Sequence, residues 1–130
     1  MKIEHLAINV EQPVDAVAWY IAHLGMTLVR SNVALNQMHF VADESGTVVI
    51  EIYKNPAAPV PDYHAMHPLV FHIAFVVEGD IATERDRLVV VGATVFDEIA
   101  TTPVGDQLLF LRDPWGVPLQ LVKRAIPMMS

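Results

Sequence analysis

Four polar side chains interrupt otherwise apolar, strand-like segments of the sequence. Two are histidines, His5 and His72, and the other two, Glu51 and Gln120, carry oxygen donors. Divalent metal ions accept imidazole, carboxylate and amide ligands, and four such ligands leave room for water or substrate. The chain has no cysteine, which excludes a thiolate site. The residue types therefore predict one divalent ion (Zn, Ni, Fe or Mn) bound by His5, Glu51, His72 and Gln120.

The two histidines occupy equivalent places in an internal repeat. The segment HLAINV that begins at His5 returns as HIAFVV at His72, and the same offset relates Gly25 to Gly92. Two copies of one unit place equivalent residues on opposite sides of a shared centre. The repeat thus favours a paired role for the histidines.

The alternation of side chains along strands puts the four polar residues on the same kind of face. Successive residues of a strand point to opposite faces, so Glu51 separates from its apolar neighbours Ile50 and Ile52. In each case the apolar face is the one expected to pack under a helix. The polar residues then lie on the opposite, concave face, in the first and last strands of each half.

The first half of the chain is predicted to fold as β-α-β-β-β. Pro13 suits the first turn of a helix over residues 13–23, and Gly25 suits its left-handed end. Both faces of the first strand are largely apolar, so that strand is expected to be buried on both sides. The predicted strands are 3–10, 26–30, 35–41 and 47–53, with a turn at 43–46.

The second half repeats this order after a connector, residues 55–68, that contains four prolines. Asp80 is the predicted cap of a helix that runs to Val91 and stops at Gly92. Strands are predicted at 69–77, 93–99, 107–111 and 117–123, with a turn at 113–116. The expected class is α+β: two tandem βαβββ modules (1–54 and 69–124, then a short tail, 125–130) forming one mixed, mostly antiparallel sheet in a single domain, 1–130.

Composition excludes several classes of partner. The net charge of −7 disfavours nucleic acid and anionic membranes, because both require a basic face. With 53% apolar and 18% charged residues, the chain is not expected to be disordered. No apolar run is long enough to cross a bilayer, and the opening residues do not have the pattern of a signal peptide. A small molecule is the expected partner, and the absence of cysteine fits a cytoplasmic location.

The segment FLRDPWGVPLQL, from Phe110 to Leu121, and the opening IEHLAINV resemble motifs of the vicinal oxygen chelate superfamily. This superfamily includes glyoxalase I, methylmalonyl-CoA epimerase, extradiol dioxygenases, fosfomycin-resistance enzymes and bleomycin-binding proteins. The resemblance covers nearly the whole chain. It implies that the two modules curl into a cup, with metal ligands at the positions of His5, Glu51, His72 and Gln120, and that the protein is a homodimer. The site is then formed within one chain or across two.

Departures from the family pattern argue against glyoxalase I itself. Its last ligand is usually glutamate, whereas this chain has Gln120, an amide that cannot take a proton at neutral pH. Asn9 stands where glyoxalase I has an arginine that helps to hold glutathione, although Asn55 matches a family asparagine. Asn9, Asn55, His39, Tyr53 and Trp115 are the candidate substrate-binding residues.

Simpler interpretations remain open for these residues. A histidine in an apolar strand, such as His72, is often a core residue, and Glu51 is able to pair with a histidine in a purely structural network. His64 and His67 in the connector are expected to lie in a solvated loop rather than to form a second metal site.

The leading hypothesis is a glyoxalase-like, metal-dependent lyase or isomerase that acts on a small oxygenated substrate through carbonyl polarisation and enediolate stabilisation. Glu51 is the candidate catalytic base, because it is the sole carboxylate in the predicted ligand set. One alternative is a non-catalytic drug-binding protein of the bleomycin-resistance type. Another is an Fe(II) dioxygenase of the extradiol type, with His5, His72 and Glu51 as its triad.

Overall fold

The structure, a computed structural model, describes residues 1–129. The chain forms two compact units, one from Met1 to Pro61 and a second that begins at Asp62. Each unit contains one α-helix and one mixed sheet. The predicted α+β class is therefore confirmed, with the strands arranged in two sheets, one in each unit.

The first unit contains strands β1 to β4 and helix α1. Its sheet has the order β1-β4-β3-β2, in which β1 and β4 are parallel and the other neighbours are antiparallel. The helix begins at Pro13 as predicted, and Gly25 ends it with a left-handed φ of 69°. The element bounds are Leu6–Asn9 (β1), Pro13–Leu24 (α1), Thr27–Asn32 (β2), Met38–Ala42 (β3) and Val49–Tyr53 (β4).

One face of this sheet carries the apolar core of the first unit. The buried residues alternate along the strands, as expected when a helix covers one face. The strand side of this core contains Ile8, Val10, Val41, Ile50 and Ile52, and helix α1 contributes Ala16, Val17 and Tyr20. The opposite face carries Phe40 and Glu51, which are only partly buried.

Two predictions for the first unit are wrong in detail. The first strand begins at Leu6 rather than at residue 3, and Ala7, on the face opposite the buried Ile8, is exposed, so this strand is not buried on both sides. The reason is that the unit's single helix covers only one face. The third strand begins at Met38, because Asn36 and Gln37 adopt positive φ angles of 54° and 50° that extended strands do not allow.

The second unit repeats the order with an additional break. Its sheet has the order β5-β9-β8, with β5 and β9 parallel, and the short strands β6 and β7 both pair with the free edge of β8. A 3-10 turn, Tyr63–Ala65, precedes these elements. The bounds are Ile73–Val76 (β5), Ile81–Val90 (α2), Thr94–Val95 (β6), Ala100–Thr101 (β7), Gln107–Arg112 (β8) and Pro118–Lys123 (β9).

The predicted strand over residues 69–77 is much shorter in the structure. Val70 donates its backbone N–H to the carbonyl of His67 at 2.9 Å, so residues 67–70 form a turn and the strand begins only at Ile73. His72 therefore lies just before β5 rather than inside it.

The predicted strand over residues 93–99 is interrupted. In β6, Val95 pairs with Leu111, and the same register continued along the strand would pair Glu98 with Leu108. In the structure Ala100 pairs with Leu108 instead, so two extra residues form a bulge. The Asp97 carboxylate accepts the backbone N–H of Phe110 at 2.8 Å and so replaces a ladder hydrogen bond across this bulge.

The local signals at helix α2 are confirmed. The Asp80 side chain accepts hydrogen bonds from the backbone N–H and the hydroxyl of Thr83, and Gly92 follows the helix with a φ of 110°. Across residues 1–129, neither helix has the length and apolar character required to cross a membrane.

Candidate functional site

His5 and Glu51 come together in the first unit. Ala7 pairs with Glu51 between the parallel strands β1 and β4, and His5 lies two residues before Ala7 on the same face. The Nε2 atom of His5 is 3.1 Å from Oε2 of Glu51, and the two side chains are 29% and 17% exposed. A separation of this length suits a hydrogen bond from a protonated Nε2 to the carboxylate oxygen.

The other ring nitrogen of His5 faces a second carboxylate. Its Nδ1 atom lies 3.3 Å from Oε1 of Glu4, within ion-pair distance. The geometry does not make a hydrogen bond, and this buried nitrogen has no hydrogen-bond partner among residues 1–129. The distance shows that Glu4 is near enough to accept an Nδ1 proton after a small rotation.

The second unit contains the equivalent arrangement around His72 and Gln120. Ala74 pairs with Gln120 between the parallel strands β5 and β9, and His72 lies two residues before Ala74. Gln120 makes no side-chain hydrogen bond with other residues in the described part of the chain, so its amide oxygen is open to a ligand.

A backbone carbonyl sets the tautomer of His72. The Nδ1 atom of His72 lies 2.8 Å from the carbonyl oxygen of the buried Pro68. Because a carbonyl only accepts, Nδ1 carries the proton and Nε2 has the lone pair. This is the state in which histidine binds metals, with its other nitrogen held by an outer hydrogen bond.

A phenylalanine supports each histidine in the same way. Phe40 pairs with Glu51 in the first unit, and its ring meets the ring of His5 edge-on at 5.3 Å. Phe110 pairs with Gln120 in the second unit, and its ring meets His72 edge-on at 5.0 Å. Sequence reasoning missed both phenylalanines, although each stands directly opposite a predicted ligand.

The donor set fits a divalent ion by its chemistry. Each unit supplies one imidazole and one oxygen donor, and the lone pair of His72 and the oxygen of Gln120 have no competing partner within residues 1–129. Among these residues no group of three or more His, Asp or Glu side chains is placed to hold a metal ion.

The predicted substrate-binding pair Asn9 and Asn55 organises a loop. Asn9 donates through its amide nitrogen to the carbonyl of Asn55 at 3.2 Å and accepts the backbone N–H of Asn55 at 2.8 Å. Asn9 also donates to the carbonyl of Ala58. Tyr53 pairs with Asn9 on the Glu51 face and makes no side-chain hydrogen bond within the described residues. Of these three, Tyr53 has the side chain best able to meet a ligand.

His39 and Trp115 have other environments. His39 is buried, with Val41 on the helix-covered face, and its Nδ1 atom lies 2.7 Å from the carbonyl of Gln37. It therefore lies on the face opposite Glu51. Trp115 is half-buried in the turn after β8, where its backbone N–H bonds to the carboxylate of the buried Asp113 at 2.9 Å.

The histidines of the connector belong to the second unit, where both are exposed and each also contacts a neighbouring group. The ring of His64 covers Gly116 so closely that a Cβ atom there would come within 2.6 Å of its Cγ. His67 meets the ring of Phe96 edge-on at 5.3 Å, and Phe96 in turn contacts Phe110. The guanidinium of Arg112 covers Phe96 and donates to the carbonyl of Tyr63, so this arginine has a structural role.

The sequence profile of the Glyoxalase/Bleomycin resistance protein/Dioxygenase superfamily matches residues 2–121. No curated protein matches the chain significantly.

Solved structures share the fold at low sequence identity. A member of this superfamily from Sphaerobacter thermophilus is similar with a TM-score of 0.74 and 18% identity, covering 95% of this chain and 98% of that one. TnmS3, an antibiotic-binding protein from Streptomyces, has a TM-score of 0.72 and 17% identity over 96% and 97%. FosX, a fosfomycin resistance protein from Listeria monocytogenes, has a TM-score of 0.72 and 15% identity over 97% and 95%.

Proposed function

Because the chain belongs to the glyoxalase/bleomycin resistance protein/dioxygenase superfamily, we propose that it is a metal-dependent lyase or isomerase of the glyoxalase type that acts on a small oxygenated molecule. One observation carries this proposal. Each unit presents a histidine beside an oxygen donor and a phenylalanine at equivalent positions of its sheet.

The proposed metal ligands are His5, Glu51, His72 and Gln120, and the ion is Zn, Ni, Fe or Mn. A divalent ion bound there would supply a Lewis acid for a carbonyl oxygen of the substrate. The chain's own groups supply orientation: the carbonyl of Pro68 holds the ring of His72, and Phe40 and Phe110 limit rotation of the two histidines.

Glu51 is the proposed base. Its Oε2 atom contacts His5, whereas Oε1 makes no hydrogen bond within residues 1–129 and is available to take a proton. The proton leaves the carbon next to the substrate carbonyl, its bonding electrons stay in the substrate, and Glu51 returns the proton to the neighbouring position. Gln120 cannot perform this transfer, because an amide does not titrate near neutral pH.

Exchange of substrate protons with solvent tests this proposal. A panel of α-hydroxy ketones and thioesters in D2O, followed by NMR, would show protein-dependent deuterium incorporation next to the carbonyl if Glu51 is the base. The exchange should require added divalent metal and should be lost in Glu51→Gln. Exchange that persists unchanged in this variant would contradict the assignment of Glu51.

A second candidate is ligand binding without chemistry. It is favoured by Gln120, which removes the usual acidic residue from the last strand, and by the fold shared with an antibiotic-binding protein. Such a protein should bind its ligand equally well with and without a chelator. The Fe(II) dioxygenase alternative, with His5, His72 and Glu51 as ligands, predicts oxygen consumption with catechols in the presence of Fe(II).

We further propose a small-molecule partner, a cytoplasmic location and a homodimer. Strand β1 lies at the edge of its sheet and carries the exposed Leu6, and edge strands with exposed apolar residues are frequently covered by another chain. Light scattering on the purified protein measures the oligomeric state directly.

A further inference from the structure

The second unit has a pocket that none of the predicted metal ligands lines. Its volume is about 620 Å³, within the range of roughly 300–1,000 Å³ that is typical of small-molecule sites. It lies at the ends of the parallel strands β5 and β9, and Ala74, which pairs with Gln120, is one of its lining residues.

The walls of this pocket are largely apolar, with Glu78, Lys123 and Arg124 as the charged lining residues, and they include part of the C-terminal tail. Val76 and Val122 line it from the sheet, and Met128 and Met129 line it from the tail. Val76 is 72% exposed, and the two methionines are 79% and 86% exposed. Apolar side chains exposed around a concave space are characteristic of a ligand site, and methionine adapts easily to ligands of different shape.

The start of the tail, at Arg124 and Ala125, is held in place by hydrogen bonds, so this wall of the pocket has a defined position. Arg124 donates to Oδ2 of Asp106 at 2.8 Å, and the backbone N–H of Ala125 donates to Oδ1 at 2.9 Å. These two bonds lower the pKa of the Asp106 carboxyl, with the Ala125 bond as the larger cause. Asp106 is itself held by a bond from its backbone N–H to the hydroxyl of Thr102.

One polar group beside the pocket lacks a partner. Arg124 lines the pocket, and its buried Nε atom has no hydrogen-bond partner among residues 1–129. A buried donor without an acceptor is unfavourable, and an oxygen anion on a bound molecule would satisfy it after a small rotation of the guanidinium.

We propose that this pocket binds the apolar body of a small carboxylic acid, with Met128 and Met129 as its outer wall and Arg124 facing the carboxylate. The proposal rests on the ligand-binding function proposed above and deepens it by naming a class of ligand. It assigns to the tail a role in determining ligand specificity.

The test uses 1-anilinonaphthalene-8-sulfonate, whose fluorescence rises in apolar sites, with the full chain and with decanoate and decanol as competitors. We expect saturable binding, and displacement by decanoate about tenfold stronger than by decanol, because only the acid has a charged oxygen. The double variant Met128→Gln, Met129→Gln should weaken probe binding about tenfold. Ile126→Gln, in the same tail but outside the pocket lining, should not.

Equal probe affinity in the wild type and the methionine variant would overturn the proposal, as would equal displacement by the acid and the alcohol. Probe affinity that falls as protein concentration rises would also overturn it, because a second copy would then cover the methionines. Zn(II) titration of the same variants separates this inference from the proposed function. If the methionine variant binds Zn(II) normally and its probe affinity is unchanged, only the pocket proposal is contradicted. If His5→Ala loses Zn(II) binding but binds the probe normally, the pocket proposal is supported independently of the metal site.

Discussion

The Nε2 atom of His5 lies 3.1 Å from Oε2 of Glu51, and this contact constrains how a metal ion would bind. An Nε2 that donates a hydrogen bond to Glu51 carries a proton, and that proton must leave before Nε2 offers its lone pair to a metal ion. The nearest acceptor for a proton on the other nitrogen is Glu4, whose Oε1 atom is 3.3 Å from Nδ1. Glu4 is thus the expected outer partner of His5, as the Pro68 carbonyl is of His72.

Removing the charge of Glu4 should therefore weaken metal binding. We expect Glu4→Gln to lower Zn(II) affinity by about tenfold, at the lower end of the effects of outer partners because Glu4 is largely exposed. A competition titration against a chelating dye measures the change. Glu44→Gln, an exposed glutamate in the turn before β4, is the matched control, and equal affinities in the two variants would contradict the role of Glu4.

Glu51→Gln should abolish proton exchange while leaving the fold intact. The amide keeps the size and one oxygen of the side chain but cannot accept the proton, so we expect a loss of about 10²–10⁴-fold in exchange rate. Circular dichroism and the unfolding midpoint check the fold. A variant that unfolds would identify the His5–Glu51 contact as mainly structural, which is the simpler interpretation of this pair.

The sequence predicted most reliably those elements that are determined by local chemistry. Pro13, Gly25 and Asp80 mark helix ends through backbone geometry and capping, which depend on few neighbours. Strand limits depend on distant partners and were less accurate. The apolar residues Leu69 and Val70 are typical of a strand, but the hydrogen bond from Val70 to His67 makes them part of a turn.

The contact between Gly116 and His64 explains why the turn after β8 needs glycine. Gly116 has a φ of 92°, and a Cβ atom would lie 2.6 Å from the Cγ of His64. We expect Gly116→Ala to lower the free energy of unfolding by about 1–3 kcal/mol, measured by urea denaturation.

Gly46→Ala provides the control for this prediction. Gly46 has a similar left-handed φ of 73°, but no atom lies within 4 Å of a Cβ placed there. It should therefore cost less than Gly116→Ala, and the difference measures the His64 contact. Equal costs in the two variants would mean that backbone conformation alone accounts for the effect.

The cap of α2 should make stability depend on acid pH. Hydrogen bonds from the hydroxyl of Thr83, and then from its backbone N–H, lower the pKa of Asp80. A carboxyl whose pKa is lower in the folded state stabilises the protein above its unfolded pKa, about 3.9, and this contribution is lost as pH falls through the folded pKa. Urea midpoints between about pH 6 and pH 3 should therefore decline less steeply in Asp80→Asn than in the wild type.

Thr83→Val tests the cause of this pKa shift. The valine variant lacks the hydroxyl but retains the backbone N–H, so its pH dependence should lie between those of the wild type and Asp80→Asn. A curve identical to that of the wild type would show that the hydroxyl does not contribute.

The site was only partly predictable from the sequence. Strand alternation correctly grouped Glu51 with the open face, but it gave no warning that His39 lies on the buried face, because the start of β3 depends on the turn at Asn36 and Gln37. The ring contacts of Phe40 and Phe110 follow from strand register, which single-sequence patterns do not determine. The pocket formed by the tail depends on the bonds to Asp106, a contact with no signal in the local sequence.

The metal content of the purified protein tests the central claim most directly. The wild type should carry about one divalent ion per chain after reconstitution, and a double variant, His5→Ala with His72→Ala, should carry none. A second double variant, His23→Ala with His67→Ala, controls for the loss of two histidines and should bind like the wild type. Equal metal content in both double variants, or none in the wild type after metal addition, would contradict the proposal that His5 and His72 are ligands.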